Sequence, residues 1–139
     1  MSIVQTQTTS FKAELYQAVH NLATDTLKCA LYTANASLNA DTTVYSSTNE
    51  VSGTGYTAGG VAITPSLAID SSTGIVYIDF SNASWSGALT ARCALIYNAS
   101  KANRAIAILD VGSNKTSTTT FTVTLPPNTA ETALIRSSN

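Results

Sequence analysis

The run "TLKCALYT", Thr26 to Thr33, is where the apolar period of this chain changes from helical to extended. Leu27, Cys29 and Leu31 alternate with Lys28, Ala30 and Tyr32, so an extended strand here carries apolar groups on both faces and belongs inside a sheet. Downstream, "ALTARCALIYN" (about Ala88 to Asn98) and "RAIAILDVG" (Arg104 to Gly112) flank "ASKAN" and predict a hairpin. "VAITPSLAID" (Val61 to Asp70), the turn "SSTG" and "GIVYIDF" ending at Phe80 predict another. Pro65 cannot donate to a ladder, which marks the first of that pair as an edge or a bulge. In "TFTVTLPP", Phe121, Val123 and Leu125 alternate with Thr120, Thr122 and Thr124, the pattern of one buried and one wet face. "VYSS" and the closing "ETALIRSS" are short candidate strands.

Upstream of Thr26, "FKAELYQAVHNL" places Phe11, Leu15, Ala18, Val19 and Leu22 at helical spacing, with Ser10 as N-cap, and predicts a helix over about 11–22. The first ten residues, "MSIVQTQTTS", are polar and read as an extended arm that orders on a partner. The expected organisation is therefore an arm at 1–10 and one domain at 11–139. The fold class is mainly β: a β-sandwich or jelly roll with one N-terminal α-helix.

Composition narrows the function. Of 139 residues, 44% are apolar and only 11% charged, with a net charge of −1. The wet faces are supplied by Ser, Thr and Asn, which favour strands and turns over helices. Such a balance gives no electrostatic footprint for direct nucleic-acid binding, and no run approaches the roughly 20 apolar residues that span a bilayer. The N-terminus lacks a basic start and a continuous apolar run, so cytoplasmic synthesis is expected. Few charges also weaken repulsion between copies, which suits a protein built into an assembly.

Catalytic chemistry finds little support. Histidine occurs once, at His20 on the expected helix, and reads as a surface or half-buried residue. Cys29 and Cys93 lie in apolar runs and are expected as buried free thiols. Two cysteines and one histidine do not complete a structural zinc site, and no metal or cofactor is expected. The carboxylates Glu50, Asp70, Asp79 and Asp110 could form an acid–base pair, but Asp70 abuts a turn and Asp79 alternates with apolar neighbours as a solvent-facing residue would. Trp85 reads as a core plug, and Arg92 as either solvent-facing or paired.

The stretch "NEVSGTGYTAGG", Asn49 to Gly60, contains a loose G-x-G-x-x-A pattern. No buried strand precedes it and no helix follows, so a phosphate loop is not expected. The glycines suit a surface crossover in which Tyr56 packs on the domain or on a partner.

Taken together, "FKAELYQAVHNL", "DTLKCALYTANASL", "NEVSGTGYTAGG", "SWSGALTARCALIYN", "NRAIAILDVGS" and "FTVTLPPNTAETALIR" resemble a family of small virion structural proteins of tailed bacteriophages, from about Phe11 to Arg136. The resemblance is to capsid cement, or decoration, proteins: β-sandwiches that clamp neighbouring subunits of the shell. It implies a non-enzymatic protein on the capsid surface whose partners are the major capsid protein and a second copy of itself, with a homodimer expected. Ile3 and Val4 in the arm, and Val51 and Tyr56 in the glycine loop, are the expected partner contacts. A tail or neck component of the virion is an alternative role. A carbohydrate-binding β-sandwich receptor module, stacking sugars on Trp85 and tyrosines, is a second.

Overall fold

A computed structural model of the chain describes residues 3–125 and 134–137. The fold is mainly β with one helix, and its antiparallel sheets fit the expected sandwich with an N-terminal helix. In chain order the elements are β1 (Thr6–Gln7), α1 (Thr9–Tyr16), β2 (Leu27–Tyr32), β3 (Val61–Ile63), β4 (Pro65–Asp70), β5 (Ile75–Phe80), β6 (Ala83–Ser86), β7 (Thr90–Asn98), β8 (Arg104–Thr116), β9 (Thr120–Val123) and β10 (Ile135–Ser137).

The largest sheet has the order β1-β8-β7-β2-β3, and a three-stranded sheet β10-β5-β4 and the pair β6-β9 complete the described strands. "TLKCALYT" supplies β2, paired with β7 on one edge and β3 on the other, with its apolar groups buried on both faces. Leu27, Cys29 and Leu31 enter the main core with Ile96, Ile106, Phe121 and Trp85. Ala30 and Tyr32 join Cys93, Leu95, Tyr97 and Ile108 in a second cluster on the opposite face, covered by Ala36, Leu38 and Tyr45 from the segment after β2. Cys29 and Cys93 thus sit on opposite faces of one sheet, both buried and free. Burial pushes their thiols up to about 12 and about 11, which keeps them protonated and unreactive.

Pro65 opens β4 at an edge. The stretch expected as one strand leaves the large sheet after Ile63 and enters the small one at Pro65, where its missing N–H costs no ladder bond. β7 and β8 form the expected hairpin, but β8 runs through to Thr116, past Gly112, with the register shifted between Ala91 and Cys93. "ASWS" is an additional strand, β6, paired with β9.

The helix departs from its expected span of 11–22 and its expected cap. Thr8, not Ser10, is the N-cap: its Oγ1 accepts from the Phe11 N–H at 3.2 Å and donates to the Ala105 carbonyl at 3.3 Å. The helix ends at Tyr16 because Ala18 turns left-handed (φ 59°), with Ala18 N–H on the Leu15 carbonyl and Val19 N–H on the Glu14 carbonyl, a Schellman closure. The arm is also more ordered than expected. Thr6 and Gln7 pair with Ile108 and Ala107 of β8, and Ile3 bridges to Leu38, so residues 3–8 are laid along the domain.

Candidate functional site

The glycine loop closes on a carboxylate. Glu50, at its start, accepts from the Tyr45 hydroxyl at 2.6 Å, the Tyr56 hydroxyl at 2.5 Å and the Gly59 N–H at 2.7 Å. The Tyr56 oxygen accepts in turn from the Leu31 N–H at 2.9 Å, and the Tyr97 hydroxyl donates to the Gly59 carbonyl at 2.6 Å. Tyr45 stacks on Tyr97 with 4.7 Å between ring centroids. Burial first, and then the Glu50 charge, raise both the Tyr45 and Tyr56 hydroxyls above the ordinary phenol range, so each stays protonated as a donor.

A phosphate cradle needs free backbone N–H groups. Here those of Tyr56 and Gly60 bond carbonyls within the loop, and that of Gly59 already faces a carboxylate. The loop is a clasp, fixed to β2 at one end and to the β6–β7 connection at the other. A Cβ on Gly60 would lie 1.8 Å from the Cys29 carbonyl oxygen, and one on Gly55 would lie 1.8 Å from that of Ser86.

The expected contact residues take different places. Val51 is in the main core, and Tyr56 packs against it with its ring 5.8 Å from Trp85. Ile3 lies against the second cluster, while Val4 is 49% exposed.

His20 is buried, not a surface helix residue, because the chain turns inward after Ala18. Its Nε2 lies 2.8 Å from Glu14 Oε1, and its Nδ1 lies 3.0 Å from Asn98 Nδ2. Asn98 Oδ1 accepts from the Ser100 N–H, which orients the amide so that Nδ2 donates both to His20 and, at 2.8 Å, to Asp25 Oδ2. Nδ1 is therefore the acceptor, and the Nε2 proton goes to Glu14. Arg104 and Lys101 close the ends of this chain of bonds on Glu14 and Asp25. Both ring nitrogens are taken up, which leaves neither to receive a nucleophile's proton. The cluster ties the end of α1 and the segment before β2 to the β7–β8 turn. Burial raises the Asp25 carboxyl, but hydrogen bonds from Asn98 and Asn21 together with Lys101 outweigh it and hold the group below its ordinary value.

The other carboxylates are scattered. Asp70 accepts from the Ser72 N–H and hydroxyl in its turn, as expected, and Asp110 pairs with Arg92 across β7 and β8. Asp79 corrects the expectation of a solvent-facing residue. It is 3% exposed, Oδ1 accepts from the Phe80 N–H, and Oδ2 has no hydrogen-bond partner among the described residues. Burial raises its carboxyl despite the hydrogen bonds it receives.

A raised acid in the folded chain contributes stability that is present below its unfolded value, near 3.8, and lost as pH rises through its folded value. Asp25, being lowered, contributes above the same unfolded value and loses its contribution as pH falls through its folded one. Asp79→Asn is therefore expected to be at least as stable as the wild type at neutral pH, and to lack the loss that the wild type shows as pH climbs above the ordinary aspartate range. Thermal melts from about pH 3 to about pH 7 read this directly; a variant less stable at neutral pH and parallel to the wild type throughout contradicts it.

Trp85 is 3% exposed, edge-on to Phe121 at 6.3 Å. Its ring fills the core and offers no face for stacking a sugar. Among the described residues no group of three His, Cys, Asp or Glu side chains could hold a metal ion, and no helix is long and apolar enough to cross a membrane. No protein-family model, curated protein or solved structure matches the chain.

Proposed function

We propose that this chain is a non-enzymatic structural protein of a tailed-phage virion, a cement protein that binds the outside of the major-capsid shell. One observation carries the reading beyond the sequence resemblance. Glu50, His20, Glu14 and Asp25 are spent on holding loops together, while large apolar side chains stand in water: Tyr16 is 95% exposed, Ile69 73%, Leu67 57% and Val4 49%. Exposed apolar groups on a surface rich in Ser, Thr and Asn suit a protein that works by contact. Leu15 and Leu67 also line one groove, between the end of α1 and the β4–β5 hairpin.

A protein that binds the assembled shell and not its separate subunits stabilises the shell by mass action. Particles that lack this chain are expected to lose integrity at a lower temperature than complete ones, and added purified protein is expected to restore the difference. Equal heat resistance with and without the protein overturns the stapling role.

A further inference from the structure

β4 ends its sheet: β5 covers one of its edges, and among the described residues no strand pairs with the other. The hydrogen bonds define what that free edge presents. Ser81 N–H donates to the Thr64 carbonyl at 2.8 Å and Gly74 N–H to the Asp70 carbonyl at 2.9 Å, so the even-numbered residues of the strand turn their backbone groups toward β5. Pro65, Leu67 and Ile69 turn theirs outward. Leu67 and Ile69 each offer an N–H and a carbonyl, and Pro65 a carbonyl alone.

Natural edge strands are guarded by lysines, bulges, prolines or a covering segment. β4 has a proline at its start and no charged residue from Thr64 to Ile69. The side chains beside the edge are apolar and exposed: Leu67 at 57%, Ile69 at 73% and, across on β5, Val76 at 41%.

We propose that the outer edge of β4 pairs antiparallel with β4 of a second copy, about a two-fold axis at Leu67. In that register Leu67 faces Leu67 and the two exchange both N–H and carbonyl bonds. Each Ile69 N–H meets a Pro65 carbonyl, while the Ile69 carbonyl faces the proline nitrogen, so that the ladder gives up one bond at each end of the pairing. Each Asp70 faces a Thr64, and no two carboxylates oppose each other. Leu67, Ile69 and Val76 of the two copies then form one apolar strip across the axis. The uncharged edge favours a second copy over a partner of another kind: it gives a charged strand nothing to pair with, and two copies meet there without repulsion. This pairing goes beyond the shell-binding reading: it assigns Leu67 and Ile69 to the second copy, leaves Tyr16 and Val4 as exposed apolar groups for the shell, and is tested without the capsid.

The test uses the full chain. Sedimentation equilibrium is expected to show a dimer that Ile69→Lys weakens by at least about tenfold. Opposed Leu67 Cα atoms would lie about 5.5 Å apart, within disulfide reach, so Leu67→Cys is expected to cross-link into a covalent dimer under mild oxidation. Ala68→Cys, which would face Ser66 and not itself, is expected to stay uncrosslinked. Both native cysteines are buried and do not interfere. A wild-type chain that stays monomeric overturns the proposal, as does a dimer indifferent to Ile69→Lys or one in which Ala68→Cys cross-links as readily as Leu67→Cys.

Discussion

Gly60→Ala is expected to abolish folding of this chain at ordinary temperature. The added Cβ would lie 1.8 Å from the Cys29 carbonyl oxygen, 2.6 Å from its carbon and 2.8 Å from the Ala30 Cα, all backbone atoms. These belong to β2, which is held on both sides by β7 and β3 and has no room to retreat. Gly60 also has φ 80°, where an L side chain is strained by about 1–2 kcal/mol before any overlap is counted. The combined cost should exceed about 4 kcal/mol, a large part of the 5–15 kcal/mol that holds a domain together. Gly112→Ala is the control, since its φ is 89° but nothing lies within 4 Å of the added Cβ. It should cost only the strain. In denaturant unfolding Gly60→Ala should show no folded baseline where Gly112→Ala keeps a cooperative transition; equal midpoints would show that the loop yields and that close packing on β2 is not what fixes it.

The second large effect belongs to Glu50. Glu50→Ala removes the acceptor for two phenols and for the Gly59 N–H. Bonds to a charged group contribute about 1.5–3 kcal/mol each, less where water can replace them. The half-exposed position of Glu50 puts the expected loss at about 3 kcal/mol. Tyr56→Phe should cost about 2 kcal/mol, because it also strips the Leu31 N–H of its acceptor. Since the two changes break one shared bond, the double variant should be less destabilised than the sum of the singles. Strict additivity in a double-mutant cycle would mean that the Tyr56–Glu50 bond contributes nothing.

Much of the architecture was legible because the apolar period was. "TLKCALYT" declares a strand covered on both faces, and "TFTVTLPP" one covered on one. What covers β2 on its second face was not legible: Ala36, Leu38 and Tyr45 come from an irregular segment with no period to read. β6 alternates Ala83 and Trp85 inward with Ser84 and Ser86 outward, a pattern too short to stand out. In α1, apolar spacing continues through Ala18, Val19 and Leu22, but Ala18 adopts the left-handed turn usually marked by glycine, so the sequence carries no stop signal.

The polar sites show the same limit. The glycine spacing marked the loop, yet the reason for Gly55 and Gly60 lies in backbone segments about thirty residues away in either direction. Glu50 and its tyrosines are brought together from the loop, the segment after β2 and β7. His20 is more buried than the surface or half-buried place its helical spacing predicts, because its burial depends on Asn98, a residue at the far end of a strand in another part of the chain. For Asp79, alternation along the strand assigns a polar residue to water, and tertiary packing overrides it.

A map of purified virions by electron microscopy, with this chain placed in the density, tests the proposed role most directly. Density for the β-sandwich on the outer surface of the icosahedral shell, contacting the major capsid protein, is the predicted result. Density confined to the tail or neck would contradict the cement role, and its absence from the particle would contradict a virion role altogether.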